Sequence, residues 1–469
     1  MSAGERELRA ELDHASATLS EVSGAAEPGA SGSAEAATVD EAARFDGDPQ
    51  AYVDYALSHD PGLRAAWERW RAATHRVARE RRLPMPTLTY SVFVSQVETR
   101  VGPQRMRLGL RQRFPWPGAL LAGADAAAAE ARVLQRDFEA RALEVRAEVL
   151  VRYWSLWLVR AVRGIEGEEL EIYAGLAELA RGRLEVGGVD LAEVQQIDLQ
   201  RARAADELAA LDELERKASA RLRAALGVPL EVELAELPTF DALPGVELPS
   251  ATETELRADL DAHPLLGRWQ TQAQASELRG RQARRARAPG FSVGVDWIEV
   301  GPARAGTHAE GASDSGKDAA SVSVGLELPL WQRNYAEDEK AAQADAAAAR
   351  SEREAARLRA AAELSTTLAT LRDSARRVEL HEATLIPQAR GALEASLGGY
   401  AVGEVELSAV FFAQRQLLEL RQAALRLHAD HAAAWASLER VVGHGVEGRA
   451  VPVADNHSER SGEESDDGA

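Results

Sequence analysis

Four stretches of this chain alternate apolar and polar residues with a period of two. Leu88, Tyr90, Val92 and Val94 are set between Thr87, Thr89, Ser91 and Ser95. Met106, Leu108 and Leu110 alternate with Arg105, Arg107, Gly109, Arg111 and Arg113. Phe291, Val293, Val295 and Trp297 are separated by Ser292, Gly294 and Asp296, and Val322, Val324, Leu326 and Leu328 by Ser323, Gly325 and Glu327. Successive side chains of a strand point to opposite faces, so each stretch predicts a strand with one apolar face. The strands are expected at about 87–96, 105–114, 291–300 and 321–330. Each is about ten residues, the length that crosses a bilayer when tilted. The polar faces carry arginines and carboxylates, as a wet lumen would. On this split Tyr90, Val92, Leu108, Val295, Trp297 and Leu326 are expected to face lipid, and Arg107, Arg111, Asp296 and Glu327 a lumen. Four strands cannot close a barrel, which takes about eight, and open edges cannot sit in lipid. Membrane-spanning strands would therefore need several chains to share one barrel. The alternative is a soluble sheet with its apolar face covered.

Between the strand pairs the pattern turns helical. No proline occurs from Gly118 to Val228, and only Pro387 occurs between Trp331 and Val451. A proline inside a helix costs about 3 kcal/mol, so these stretches permit very long helices. Gly118 to Val186 predicts one of about 100 Å and Arg333 to Leu397 another, at 1.5 Å per residue. Each is followed by a turn and a helix of about 38 residues, and each half opens with a helix of about 35 residues, roughly 57 and 52 Å. Two shorter helices end to end match one long helix and cover its apolar stripe. The runs ADAAAAEA, from Ala124, and ADAAAAR, from Ala344, suit close helix approach. Trp154 and Trp157, three apart, read as core residues.

The chain is written twice. RLEVGGVDLAEV, from Arg183, and GYAVGEVELSAV, from Gly399, carry Val186, Gly187, Val189, Leu191 and Val194 onto Val402, Gly403, Val405, Leu407 and Val410. The same offset carries Gly109-Leu110 onto Gly325-Leu326 and Gly227 onto Gly443. His59-Asp60-Pro61 and His263-Pro264 open the two copies. A constant offset over this much chain marks an internal repeat. The expected organisation is a disordered segment 1–48, a first repeat 49–228, a linker 229–251, a second repeat 252–443 and an acidic disordered tail 444–469.

Composition narrows the chemistry. The chain of 469 residues has 5% aromatics and no cysteine. That removes disulfides, thiolate metal sites, a cysteine nucleophile and a lipidated cysteine. A formal charge of −20 disfavours nucleic acid as partner. No run of 18 apolar residues predicts a transmembrane helix. The first 48 residues show no apolar core of a signal peptide. GASDSGKD, from Gly311, has the spacing of a phosphate loop, but Asp318 stands where Ser or Thr is required and the segment joins two strands. It reads as a polar loop. His428 and His431 read as helix surface, since two histidines alone are a poor metal site. No catalytic, cofactor-binding or metal-binding residues are expected, and no enzyme.

In these residues the chain resembles the outer membrane factor family, of which TolC is the best-known member. The resemblance covers about Pro49 to Gly443 and rests on the duplicated strand pairs, the two glycine turns and IPQARGALEAS leading into the second turn. It implies a mainly α fold with a β-barrel part: a homotrimer whose three protomers give four strands each to a twelve-stranded barrel in the outer membrane. A long α-helical tunnel in the periplasm would hang below. The implied role is the passive exit duct of a tripartite efflux system, with a periplasmic adaptor and an inner-membrane pump as partners. Val186, Gly187, Val189, Leu191, Val402, Gly403, Val405 and Leu407 would be the adaptor-contacting tips. Family members carry acids about two turns after the second tip glycine. Ala409 and Phe412 stand here instead, so Phe411 or Phe412 becomes the candidate entrance constriction. QRFPWPGALLAGADAAAAEA is similar to the helix start of the heavy-metal (CusC-like and CzcC-like) members. A soluble long-helix scaffold is the rival reading.

Overall fold

The computed structural model describes residue 6 and residues 8–14, 47–95, 97–230, 246–303 and 313–450. The chain forms two compact units, one from Met1–His14, Trp67–Asp137 and Gly267–Ala355, the other from Ala15–Ala66, Phe138–Leu266 and Ala356–Ala469. Both sequence repeats contribute to each unit.

In chain order the elements are α1 (Pro49–His59), α2 (Pro61–Glu80), β1 (Thr87–Val92), β2 (Glu98–Thr99), β3 (Gly102–Phe114), α3 (Pro117–Glu185) and α4 (Leu191–Leu226). The second half holds β4 (Glu247–Pro249), α5 (Glu253–Asp259), a 3-10 turn (Leu260–Ala262), α6 (Pro264–Arg285), β5 (Gly290–Val300), β6 (Ala319–Glu327), α7 (Gln332–Leu380), a π turn (His381–Leu385), α8 (Ile386–Val402), α9 (Leu407–Val442) and β7 (Gly448–Ala450).

The first unit carries an antiparallel sheet in the order β1-β3-β5-β6, with β2 paired to β3. The central pairing, β3 with β5, joins the two repeats and runs from Gln104↔Val300 to Phe114↔Phe291 with one register shift near Met106. Below the strand ends, α6 is tied to α3 by Arg268–Asp137 (2.5 Å) and Arg279–Glu130 (2.6 Å), and to α7 by Arg284 and Arg287 on Glu339 (both 2.6 Å). The alanine run packs as its small side chains suggest: Ala127, Ala128 and Ala131 are buried against Ala73, Val77 and Leu8. Leu8 corrects part of the disordered N-terminal segment. Residues 8–14 are helical, and Leu8 and Leu12, four apart on one face, are buried. Residues 15–46 lie outside the described chain.

In the second unit the helices pack around several apolar clusters. One collects Tyr173, Ala177, Val194, Ile197, Leu393 and Leu417 from α3, α4, α8 and α9, and another Tyr52, Val149, Tyr153, Leu222 and Leu226. Trp157 is buried in a third, with Trp154 packed beside it.

The opening helix of each repeat is broken, where one of about 35 residues was expected. The breaks fall at Asp60 and at His263, each before a proline that offers no N–H to the preceding turn. Asp60 Oδ1 accepts from Leu63 N (2.5 Å), and His263 Nδ1 accepts from Leu265 N (3.1 Å), so each break caps the helix after it. The last helix of each repeat ends on a left-handed glycine lying against the same break. A Cβ on Gly227 (φ 72°) would stand 3.2 Å from Pro61 Cδ, and one on Gly443 (φ 93°) 3.0 Å from His263 Cδ2. Glycine alone satisfies both the conformation and the space.

Two further expectations are corrected. Glu247–Pro249, within the expected linker, pairs antiparallel with Gly448–Ala450, within the expected tail. Three-residue strands are too short to leave a period in sequence. The long second-half helix continues to Val402 but carries the π turn just before Pro387, where Ile386 N reaches His381 O. The wider turn relieves the proline's lost N–H and its clash with the preceding turn. Residues 231–245 and 451–469 lie outside the described chain.

Candidate functional site

The sheet register places the paired apolar residues on one face, while Val94 and Leu328 lie beyond the ends of β1 and β6. Tyr90, Leu108 and Trp297 form one row, Leu88, Leu110, Val295 and Val322 another, and Phe114, Phe291 and Leu326 a third. This face is uncovered. Met106 and Phe114 are half-buried, but exposure elsewhere runs from 36% at Val293 to 77% at Val324, and Tyr90, Val92, Leu108, Val295, Trp297 and Leu326 are all exposed. A covered soluble sheet would bury these side chains. A contiguous apolar face of this extent marks a surface that meets lipid or protein.

The other face holds the expected polar set, and the structure brings it together in pairs. Arg107 donates to Asp296 (3.0 and 2.9 Å), and Arg113 donates to Glu327 (2.6 and 2.9 Å). Arg111 sits on the same face, opposite Gly294. Glycines make room for these carboxylates and hydroxyls. A Cβ on Gly109 would stand 2.4 Å from Asp296 Oδ1, and one on the equivalent Gly325 2.6 Å from Ser292 Oγ. Beyond the strands, Arg100 pairs with Asp314, and Asp318 Oδ1 accepts from Val300 N (3.1 Å). The described part of GASDSGKD therefore closes the β5–β6 loop. Residues 311 and 312 lie outside the described chain. Among the described residues β1 and β6 each pair on one side only, leaving two open edges.

At the other functional candidate, α3 and α8 end in matched turns. Gly188 N donates to Arg183 O (2.8 Å) and Gly187 N to Leu184 O (3.0 Å); Glu404 N donates to Gly399 O (2.8 Å) and Gly403 N to Tyr400 O (3.1 Å). These are two Schellman motifs, each with its glycine in the left-handed region at φ 71° and 82°. Asp190 then caps α4 through Glu193 N (2.9 Å), whereas Glu406 makes no side-chain cap for α9. Val186, Val402 and Leu191 are exposed, and Val189 and Val405 are half-buried.

Leu407 is a correction. It is buried (4%) with Val410, Ala413 and Leu417 in the helix cluster, so it is a core residue and no contact surface. Periodicity puts Leu191 and Leu407 at matching places but cannot say which of the two stripes begins inside. The turns also differ in how they are held. Arg183 Nη1 donates to Tyr400 O (2.8 Å) and its guanidinium stacks over the Tyr400 ring at 4.9 Å, while Tyr400 Oη donates to Glu193 Oε2 (3.3 Å). Phe411 is half-buried, packed on the same cluster and edge-on to Tyr173 at 6.0 Å. Phe412 is exposed, and Ala409 is exposed beside it.

His428 and His431 are buried, not helix surface. His428 Nε2 lies 2.7 Å from Glu382 Oε1 on the π turn, and His431 Nδ1 lies 2.8 Å from Ser374 Oγ. Burial pushes the His431 pKa down. Among the described residues no three metal-ligating side chains gather into a cluster, and no helix is long and apolar enough to cross a membrane, which says nothing of a β-barrel.

Sequence reasoning missed one polar group altogether. Glu166 and Glu169 of α3, three apart, are 3% and 6% exposed. Gln422 Nε2 donates to Glu166 Oε1 (2.5 Å), while Oε2 of each carboxyl has no hydrogen-bond partner. Burial, then the charges of Glu169 and Glu207, pushes the Glu166 pKa up to about 7. Burial raises that of Glu169 as well. GIEGEELEIY reads as polar surface, and nothing in it signals burial.

A profile of the family described as "Outer membrane efflux protein" matches residues 52–228 and 260–444. No curated protein sequence matches the chain. Solved structures do. CusC shares 18% identity over 85% of this chain and 92% of its own, with a TM-score of 0.67. VceC, an outer membrane protein from Vibrio cholerae, shares 20% over 85% and 97%, also at 0.67. The MtrE outer membrane channel of Neisseria gonorrhoeae shares 17% over 85% and 89%, at 0.66. At these identities the likeness is one of fold.

Proposed function

The chain belongs to the outer membrane efflux protein family, and from that premise we propose that it is the passive exit duct of a tripartite efflux system. The observation that carries this reading is the uncovered apolar face of a sheet with two open edges. Backbone groups at an open edge cannot be left in hydrocarbon. Three copies, each giving four strands, join edge to edge into a closed twelve-stranded barrel. The apolar rows meet lipid, and Arg107, Arg111, Asp296 and Glu327 line the water-filled side. The helices continue the conduit into the periplasm, where a pump and its adaptor supply both substrate and energy.

The tips at Val186-Gly187 and Val402-Gly403 are the adaptor-facing end in this reading. Exposed Val186, Leu191 and Val402 supply an apolar docking surface that a turn alone does not require. Fractionation of the native cell tests the reading: the protein is expected with the outer membrane, and a purely cytosolic distribution would overturn it.

A further inference from the structure

Two short segments are strongly basic in a chain whose formal charge is −20. RVARERR, from Arg76, closes α2, and RGRQARRAR, from Arg279, runs through the end of α6. Together they hold nine arginines and one carboxylate, Glu80. Each lies just before the first strand of a pair, so both repeats carry the feature at the helical end of the sheet. Part of this charge is used within the fold, as Arg279 on Glu130 and Arg284 and Arg287 on Glu339. Arg76, Arg82, Arg281 and Arg285 are different. They are exposed, and among the described residues none forms an ion pair. Arg285 Nη1 donates to a backbone carbonyl, Gly118 O, at 3.3 Å.

A second observation sets their surroundings. Trp116 and Arg285 both close on Gly118, where a Cβ would stand 2.9 Å from Trp116 Nε1 and 3.5 Å from Arg285 Cδ. Trp116, Leu330 and Trp331 are exposed at this end of the sheet. At the helical end of the sheet, exposed tryptophans and unpaired arginines therefore stand together beside the apolar face, Trp116 and Arg285 meeting at Gly118. An apolar band flanked by tryptophan and basic side chains suits the headgroup region of a bilayer. Tryptophan prefers the headgroup level, and an arginine stem lies along apolar surface while its head reaches outward.

Resting on the membrane-spanning reading of the sheet, we propose that Arg76, Arg82, Arg281 and Arg285 form a collar that binds the phosphates of anionic phospholipid headgroups at the helical end of the barrel. Guanidinium groups suit this task because their planar forks pair with two phosphate oxygens. The collar fixes the depth at which the barrel sits.

The full chain is reconstituted into vesicles of equal parts phosphatidylglycerol and phosphatidylcholine, floated, extracted, and its retained lipid measured by native mass spectrometry. The expected result is enrichment of phosphatidylglycerol on the wild-type assembly. The variant with Arg76→Gln, Arg82→Gln, Arg281→Gln and Arg285→Gln loses that enrichment by about fivefold for each arginine removed. The corresponding four Arg→Lys changes keep most of it. Single Arg82→Gln and Arg281→Gln variants, each with a partial loss, carry the test if the fourfold variant does not fold. Unchanged enrichment in the glutamine variants overturns the collar. So does a change in ion selectivity without a change in lipid, which would put the arginines inside the channel, or loss of assembly in the single variants, which would put them between protomers. A wild-type protein that does not float with vesicles overturns the membrane reading itself; one that floats without lipid preference overturns the collar alone.

Discussion

Single residues decide how this chain responds to pH and to mutation. Glu166 has its pKa raised from 4.5 to about 7, so between those values the folded chain holds a proton that the unfolded chain has released. The stability that this protonated carboxyl contributes is complete below about pH 4.5 and is lost as pH rises to about 7. The loss is on the order of 3 kcal/mol at most, shared with its coupled neighbour Glu169. Denaturant midpoints in detergent should therefore fall as pH rises from 4.5 to about 7, and Glu166→Gln should flatten the fall and raise stability at the upper end. A flat wild-type profile would count against a buried proton. The two matched leucines separate packing from contact in the same way. Leu407→Ala should cost about 2–5 kcal/mol through the cavity it leaves. Leu191→Ala should change stability little, while Leu191→Asp should abolish efflux and adaptor crosslinking with assembly intact. Normal crosslinking in Leu191→Asp would remove the docking role.

At the scale of elements, the sheet is where sequence and structure agree most closely. Val324 stands on the uncovered face and Ser323 on the polar face of β6. A charge on the lipid side of a barrel costs about 2–4 kcal/mol near the bilayer midplane. Val324→Arg should therefore lower the yield of assembled, membrane-inserted protein, and Ser323→Arg should leave it near wild type. Equal losses would argue against a lipid-facing side. The strands were legible because period two puts Leu108 and Arg107 on opposite faces whatever surrounds them. The glycine turns were legible because a left-handed residue after a long helix leaves Gly187 and Gly403 at one offset. The β4–β7 pair, the helix breaks and the π turn were not read. The first is too short to show a period, and the others shift a register without changing composition.

The whole molecule follows from edges that one chain cannot close. A trimer is the expected species in detergent, by mass measurement. A well-folded monomer, with its apolar face and both strand edges open, would refute the shared barrel. The sequence by itself determined the duplicated plan, the strand alternation, the glycine turns and the family, because each is written as a period or an offset along the chain. The tertiary structure alone decided which of two equivalent residues is core. Leu407 is buried and Leu191 exposed; Phe411 packs on Tyr173 and Phe412 does not; His428, His431, Glu166 and Glu169 lie inside. The reason is physical. A period fixes the direction of a side chain on its own element, but burial depends on what other elements place against it.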